Sequence, residues 1–263
     1  MSILETEKGH WVGMPVATAM PVVDFEYEVV ANEYGFYCVP DAFKGREVPE
    51  ILAGGGVYEP ATLSLMARIL RRGGDVITGG TFIGDFLPAL SEALVPDARV
   101  HTFEPNPVAR NAAMLTAWLN GLVNIDMHGC AIGEETGKLH LQVAKANGTS
   151  MAARAKVVEQ ATEGETIEID VQTLDALVGV ERPIAIVHLD VEGHEWPALW
   201  GARDIIATYA PCIIVEAEKG WKRRKIETSL MELFPDAGYH RAGCIERNVI
   251  YVPKHPKGPF RGT

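Results

Sequence analysis

The chain has 263 residues, 47% of them apolar and 22% charged, the make-up of a globular protein long enough to bury its core without disulfide or metal staples. With 24 Lys and Arg against 35 Asp and Glu, its formal charge of −11 lacks the broad basic field that nucleic acid or an anionic membrane selects. The four cysteines (Cys38, Cys130, Cys212 and Cys244) form no C-x-x-C pair and read as free thiols of a reducing compartment. No run of 18 apolar residues exists, and two prolines interrupt the mildly apolar stretch 11–23, which no basic segment precedes. The expectation is a cytoplasmic protein with a small or neutral substrate, and neither a nucleic-acid nor a membrane partner.

In chain order, residues 22–40 are rich in β-branched and aromatic side chains on either side of 32–35, which predicts a β-hairpin with a loop longer than two residues. Gly54-Gly55-Gly56 is a break, dividing an N-terminal extension (1–56) from a core domain (57–254). The basic, Pro/Gly-rich segment 255–263 reads as a loosely held tail. From residue 60 the pattern alternates: a helix over 60–70 led by proline, a strand at 75–77, a helix over 83–94, a strand at 99–103, a second proline-led helix over 107–119, and a strand at 125–130. Residues 138–143 and 167–171 alternate like an inserted hairpin. A nearly all-apolar strand at 184–189, a helix over 196–208, a strand at 212–215 and a helix over 225–234 follow. Strands 239–245 and 248–252 pair antiparallel at the end. Such alternation predicts an α/β doubly wound, mostly parallel sheet that binds ligands at the carboxyl ends of its strands.

Three motifs stand at those ends. Gly79-Gly80-Thr81-Phe82-Ile83-Gly84-Asp85 turns from strand to helix, where glycines admit a ligand close to the backbone and free N–H groups favour negative charge. Phe103-Glu104-Pro105-Asn106-Pro107 follows, and an acid 20 residues after Gly84 can accept both hydroxyls of a ribose while Asn106 caps the next helix. The third, His188-Leu189-Asp190-Val191-Glu192-Gly193-His194-Glu195, carries ionisable residues at spacing two. It reads as a catalytic and cofactor-facing cluster, with a metal site as the alternative.

Taken together, the motifs resemble those of the FkbM family of S-adenosylmethionine-dependent methyltransferases. The run 188–202 (HLDVEGHEWPALWGA) resembles its I-D-V-E-G signature, 103–107 and 79–86 its first two nucleotide motifs, 173–177 (TLDAL) its T-L-D segment and 213–218 (IIVEAE) its fifth-strand ending. The likeness covers about residues 57–218. It implies a class I, Rossmann-like methyltransferase fold with an antiparallel C-terminal strand and a small β-rich N-terminal extension. By family habit it also implies O-methylation of a sugar or natural-product hydroxyl. Gly80 and Gly84 fall on the glycines that admit the methionine part of the cofactor, Glu104 on the ribose acid, Asp190 on the acid near the transferring methyl, and Cys130 and Ala131 on the adenine lining. Gly79, Thr81, Phe82, Pro105 and Asn106 complete the cofactor motifs. The chain departs from the family at Thr78 (commonly aspartate), Phe82 (asparagine) and His188 (lysine). The acid for the cofactor's ammonium is then Glu59, in Tyr58-Glu59-Pro60, or Asp85.

An alcohol acceptor needs its proton removed, and His194 has the intrinsic pKa for a base, with Asp190 or Glu216 orienting it; Glu192 or Glu216 is the alternative base. A divalent metal on Asp190 and Glu216 would be a different route. The run Trp221-Lys222-Arg223-Arg224-Lys225 reads first as a solvated helix start and second as an anion site on the acceptor. Trp11, Trp118, Trp196 and Trp200 read as packing. Acceptor specificity is assigned to the hairpin 22–40 and to 144–166, and the hairpin's exposed strands offer an edge to a second copy. The competing functions are a nicotinamide-dependent oxidoreductase and a non-catalytic S-adenosylmethionine-binding protein.

Overall fold

A computed structural model describes residues 14–15, 19–142, 156–158, 166–191, 193–217 and 220–257. Strand β1 (Met14–Pro15) comes first, then the hairpin of β2 (Tyr27–Asn32) and β3 (Gly35–Pro40). Its register pairs Asn32 with Gly35, so the turn is two residues, Glu33 and Tyr34, rather than the longer loop expected. The Asn32 side-chain oxygen accepts the Tyr34 N–H at 2.9 Å, which tightens the turn locally. A short helix, α1 (Glu47–Ala53), was not signalled by periodicity and precedes the glycine break.

The core follows: α2 (Pro60–Leu70), β4 (Asp75–Gly79), α3 (Leu87–Ala93), β5 (Val100–Phe103), α4 (Pro107–Leu119) and β6 (Ile125–His128). Strands β7 (Ala131–Ile132), β8 (Gly137–Gln142), β9 (Lys156–Val158) and β10 (Thr166–Gln172) make a separate four-stranded sheet built on the antiparallel β8–β10 pair. Then come α5 (Leu174–Leu177), β11 (Ile184–Leu189), α6 (Glu195–Trp200), α7 (Arg203–Tyr209), β12 (Cys212–Glu216), α8 (Gly220–Leu233), β13 (His240–Ile245) and β14 (Asn248–Val252).

The main sheet runs β1-β6-β5-β4-β11-β12-β14-β13. From β6 to β12 every pair is parallel, while β14 is antiparallel to β12 and β13 to β14. The chain winds outward from β4 to β6 and then returns to β11, so the order reverses between β4 and β11. That is the switch point of a Rossmann-like doubly wound sheet, where a ligand cleft opens at the carboxyl ends. β11 is buried along its whole length. Its Ile186 faces the cluster of α2 and α3, with Leu63, Met66, Leu87 and Leu90. Val187 and Leu189 face the cluster of α6, α7 and α8, with Leu199, Ile206 and Leu230. Two-residue alternation therefore sends His188 to the α2/α3 side.

Three boundaries differ from expectation for tertiary reasons. α3 begins at Leu87 because residues 82–86 are turns over the site. The helix expected over 196–208 is two, because Gly201 passes so close to the Gly133 carbonyl that no Cβ would fit. α8 begins at Gly220, five residues early. The N-terminal hairpin packs on α4: Asn120 accepts the Phe36 N–H and donates back to its carbonyl. The Thr116 hydroxyl accepts the Cys38 N–H and donates to the Ile83 carbonyl, linking the hairpin to the glycine turn. All four cysteines are free, and only Cys244 is exposed. Among the described residues no helix is long and apolar enough to cross a membrane. Of the segment 144–166, only 156–158 and Thr166 lie within the described residues.

Candidate active site

β4 ends at Gly79 and the chain folds back across the end of the sheet. The Asp190 N–H donates to the Gly79 carbonyl at 3.1 Å, clamping β4 to β11. Gly80 has φ +86, and a Cβ there would collide with the Asp190 carbonyl. Phe82 takes the left-handed conformation at φ +47, at a cost of about 1–2 kcal/mol for a non-glycine residue. Asparagine, the family's residue there, visits that region at less cost. Phe82 is held instead by stacking on Phe43, with ring centroids 5.2 Å apart, and its N–H donates to Glu104 Oε2 at 2.9 Å.

Glu104 follows β5 and is buried. Its second oxygen accepts the Asn106 N–H at 2.8 Å, and burial pushes the carboxyl up to about 7. Each oxygen keeps a further lone pair for a hydroxyl donor. Asn106 caps α4 as expected, accepting the Val108 N–H at 3.1 Å, so its oxygen serves the helix; Pro105 is half-buried beside it. Cys130 packs in the core with Ile77, Phe103 and Ile132, and burial raises its thiol to about 12. Its side chain is therefore committed to packing, and neighbouring Ala131 is buried too.

Between the ends of β4 and β11 lies a cavity of about 30 Å³, lined by Tyr58, Glu59, Thr78, Asp85, His188 and Asp190 together with Gly80 and Thr81. Six of the expected cofactor residues thus meet on one cavity (Tyr58, Glu59, Gly80, Thr81, Asp85 and Asp190), while Gly79, Phe82 and Gly84 shape the turn above it. Glu59 has φ +45 at the start of α2 and accepts an N–H from the Asn248 amide at 2.6 Å; burial raises its pKa. Burial likewise pushes Asp85 up to about 7, with Glu59 adding like-charge repulsion. An acid-lined cavity beside a glycine that tolerates no side chain fits a cationic ligand end, whose charge would favour the ionised carboxylates, approaching the backbone.

Thr78 and His188 are direct neighbours in the β4–β11 register, with Thr78 Oγ1 and His188 Nδ1 2.9 Å apart. Two departures from the family therefore meet: at the positions where the family commonly has an aspartate and a lysine, this chain pairs two neutral groups, which avoids desolvating two charges. The pairing spans 110 residues, and no local signal in the sequence announces it.

His194 stands at the start of α6, half-buried, and burial lowers its pKa, so the ring is neutral at pH 7. Glu216 ends β12, half-buried and in register with Asn248. Neither lines the small cavity; both stand in segments leading away from it. Glu192 lies outside the described residues. Among the described residues no three His, Cys, Asp or Glu side chains are grouped to hold a metal ion.

Two residues without an assigned role order the signature loop. Glu195 is buried, accepts the Gly193 N–H at 2.9 Å and meets Lys222 at 3.3 Å. Its place at the first helical turn, two residues after a glycine, was the available signal. The basic run at α8 is largely structural: besides Lys222, Arg223 donates to the Ala217 carbonyl and Lys225 lies 4.3 Å from the centre of the Trp196 ring. The T-L-D segment is structural as well. Thr173 caps α5, while the Asp175 carboxylate accepts the Asp204 and Ile205 N–H groups at 2.9 and 3.0 Å, capping α7.

A second cleft, of about 210 Å³, opens beside Asn248 between the start of α8 and the β13–β14 turn, lined by Arg223, Glu246, Arg247 and Asn248. Asn248 joins the two, since its amide bonds Glu59 on one side and borders this cleft on the other.

The structure is similar to a methyltransferase FkbM from Methylobacillus flagellatus KT, at 21% identity over 69% of this chain and 44% of that one, with a TM-score of 0.47. The chain thus spans less than half the length of that relative. It is also similar to the S-adenosylmethionine-dependent O-methyltransferase TM0748 of Thermotoga maritima (10% identity, 86% and 77% coverage, TM-score 0.47). A third is the O-methyltransferase TomG of Streptomyces achromogenes, involved in tomaymycin synthesis and solved with S-adenosylmethionine (14% identity, 77% and 82% coverage, TM-score 0.44). No curated protein matches the chain. The family model of the methyltransferase FkbM domain matches residues 79–241, well over half of the sequence. The chain belongs to the FkbM methyltransferase family, whose methyl donor is S-adenosylmethionine.

Proposed function

We propose that the protein is an O-methyltransferase acting on a hydroxyl of a sugar or natural-product small molecule. The observation that supports this best is the polar cleft joined through Asn248 and Glu59 to the acid-lined cavity. It is smaller than the clefts that take drug-sized ligands and is lined by charged and amide groups, which suits a compact, hydroxyl-bearing acceptor. A charge of −11 argues for such a partner over nucleic acid.

The cofactor supplies a methyl group already activated on sulfur. In this reading Glu59, Asp85 and Asp190 hold its cationic end, and Glu104 takes the ribose hydroxyls. Gly80 and Gly84 let the backbone approach. His194, neutral at pH 7, receives the acceptor's hydroxyl proton on its imidazole, with Asp190 or Glu216 orienting ring or acceptor; Glu192 and Glu216 are the alternative bases. Alignment of acceptor and methyl supplies the rest of the rate.

His194→Ala is expected to lower turnover at least about tenfold with cofactor affinity within about twofold, a barrier increase of about 1.4 kcal/mol or more. Steady-state rates on a panel of glycosides and polyketide alcohols, with calorimetric titration of S-adenosylhomocysteine, test this; near-normal turnover would remove His194 as the base. Glu59→Gln is expected to weaken S-adenosylhomocysteine about tenfold, because a charged acceptor becomes a neutral one. Unchanged affinity would take Glu59 out of the cofactor site.

A further inference from the structure

His188 is 4% exposed, yet its ring lines the small cavity. One ring face stacks on Phe86, with centroids 5.4 Å apart and planes 13° from parallel. Nδ1 meets the Thr78 hydroxyl, while Nε2, equally buried, has no protein partner. A buried N–H left without an acceptor is rarer and costlier than an acceptor left partly unused. The favoured tautomer therefore places the proton on Nδ1, donating to Thr78 Oγ1, and leaves the Nε2 lone pair free to accept. The cavity, about 30 Å³, is the size of one small polar group. Glu59, Asp85 and Asp190 also line it, so the group it favours is a cation that donates hydrogen bonds, as an alkylammonium does.

We propose that His188 Nε2 accepts a hydrogen bond from the α-ammonium of the cofactor's methionine part, and that the Thr78 hydroxyl holds the tautomer that makes this possible. The inference rests on the cofactor site described above and adds to it a ligand contact at a position where the family has lysine. A lysine there would donate and repel the ammonium; a neutral histidine accepts it. Burial keeps the ring neutral down to about pH 4, so the lone pair is present at physiological pH.

The test is calorimetric titration of wild type, His188→Phe and Thr78→Val with S-adenosylhomocysteine, which carries the ammonium, and with 5′-methylthioadenosine, which lacks the amino-acid part. His188→Phe keeps a ring against Phe86 and removes both nitrogens. It is expected to weaken S-adenosylhomocysteine at least about tenfold while leaving 5′-methylthioadenosine within about twofold, the loss of one hydrogen bond to a charged donor. Thr78→Val is expected to show the same selectivity to a smaller degree. Unchanged S-adenosylhomocysteine affinity, or equal losses for both ligands, overturns the proposal. Independently of whether the variants fold, ¹⁵N NMR of the wild-type ring is expected to show a protonated Nδ1 and an Nε2 signal that moves on adding S-adenosylhomocysteine; the opposite tautomer overturns it. Wild type that binds neither ligand would instead overturn the cofactor site itself, a different result from wild-type binding with an unaffected His188→Phe.

Discussion

Gly80→Ala is expected to destabilise the protein by at least about 3 kcal/mol and to abolish cofactor binding. Two causes add. The position has φ +86, which costs a side chain about 1–3 kcal/mol by itself. The new methyl would also lie 2.9 Å from the Asp190 carbonyl carbon and closer still to its oxygen, and backbone cannot rotate away as a flexible side chain can. Relief requires pulling β4 from β11 at the bond between the Asp190 N–H and the Gly79 carbonyl, where the site is built. Gly45→Ala separates the two causes: its φ is +77 but nothing lies within 4 Å of the added methyl. Chemical denaturation should show only the conformational cost at Gly45 and the larger loss at Gly80. Equal losses would mean that the close approach to Asp190 is not what requires glycine.

Glu104→Gln is expected to lower affinity for S-adenosylhomocysteine at least about 100-fold while moving stability little, about 3 kcal/mol of binding set against near-cancelling folding terms. Charging a buried carboxyl whose pKa has risen from 4.5 to about 7 costs roughly 3 kcal/mol above pH 7, and the amide removes that cost. In exchange, the amide NH₂ faces one of the two N–H groups the carboxylate now satisfies, a penalty of about 1–3 kcal/mol. The pH dependence of stability distinguishes the variant further. In the folded state Glu104 and Asp85 hold protons up to about pH 7, so each lowers stability as pH rises from their ordinary values, 4.5 and 3.8, to 7. His128 and His188, buried and lowered from 6.5 to about 4, act in the opposite sense: the unfolded chain binds more protons between pH 4 and 6.5, so stability rises there. Rising and falling contributions oppose one another between about pH 5 and 6. Glu104→Gln removes one falling contribution, so its stability should rise relative to wild type as pH rises from 5 to 6. Melting curves across pH 5 to 8 check this; parallel profiles would show that Glu104 is not titrating as its burial implies.

What the sequence made legible follows where the cause was local. α2 and α4 have the expected bounds, since each begins with a proline that suits the first turn and carries apolar residues at helical spacing. β11 is legible because six successive buried positions, all but one apolar, can only be covered on both faces. That six of the singled-out residues meet on one cavity was legible too, because residues at strand ends converge once a parallel sheet is assumed. The failures have tertiary causes. The break between α6 and α7 depends on Gly133 and Asp175, which lie far from it in sequence. Phe82 concealed a left-handed position that an asparagine would have advertised. The structural role of Glu195 within the signature run went unread because Lys222, its partner, is 27 residues away. Cys130, assigned to the adenine lining by motif position, lies in the bend after β6, and its side chain packs with Ile77, Phe103 and Ile132.

The hydrogen bonds that complete the site are among the most sequence-distant in the molecule. Glu246, itself strained at φ +53, accepts the Ala61 and Thr62 N–H groups and the Thr62 hydroxyl across 184 to 185 residues, and Asn248 bonds Glu59 across 189. These bonds tie the start of α2 to the β13–β14 hairpin, and the loop-closure cost of contacts so distant in sequence favours their forming late. During synthesis, the glycine turn, Glu104 and the signature loop all emerge from the ribosome well before residue 246. The growing chain can build most of its sheet while lacking the latch that sets Glu59 over the cavity. A chain that lacks the last hairpin lacks this latch, and with Glu59 in its proposed role it is expected to bind S-adenosylmethionine more weakly.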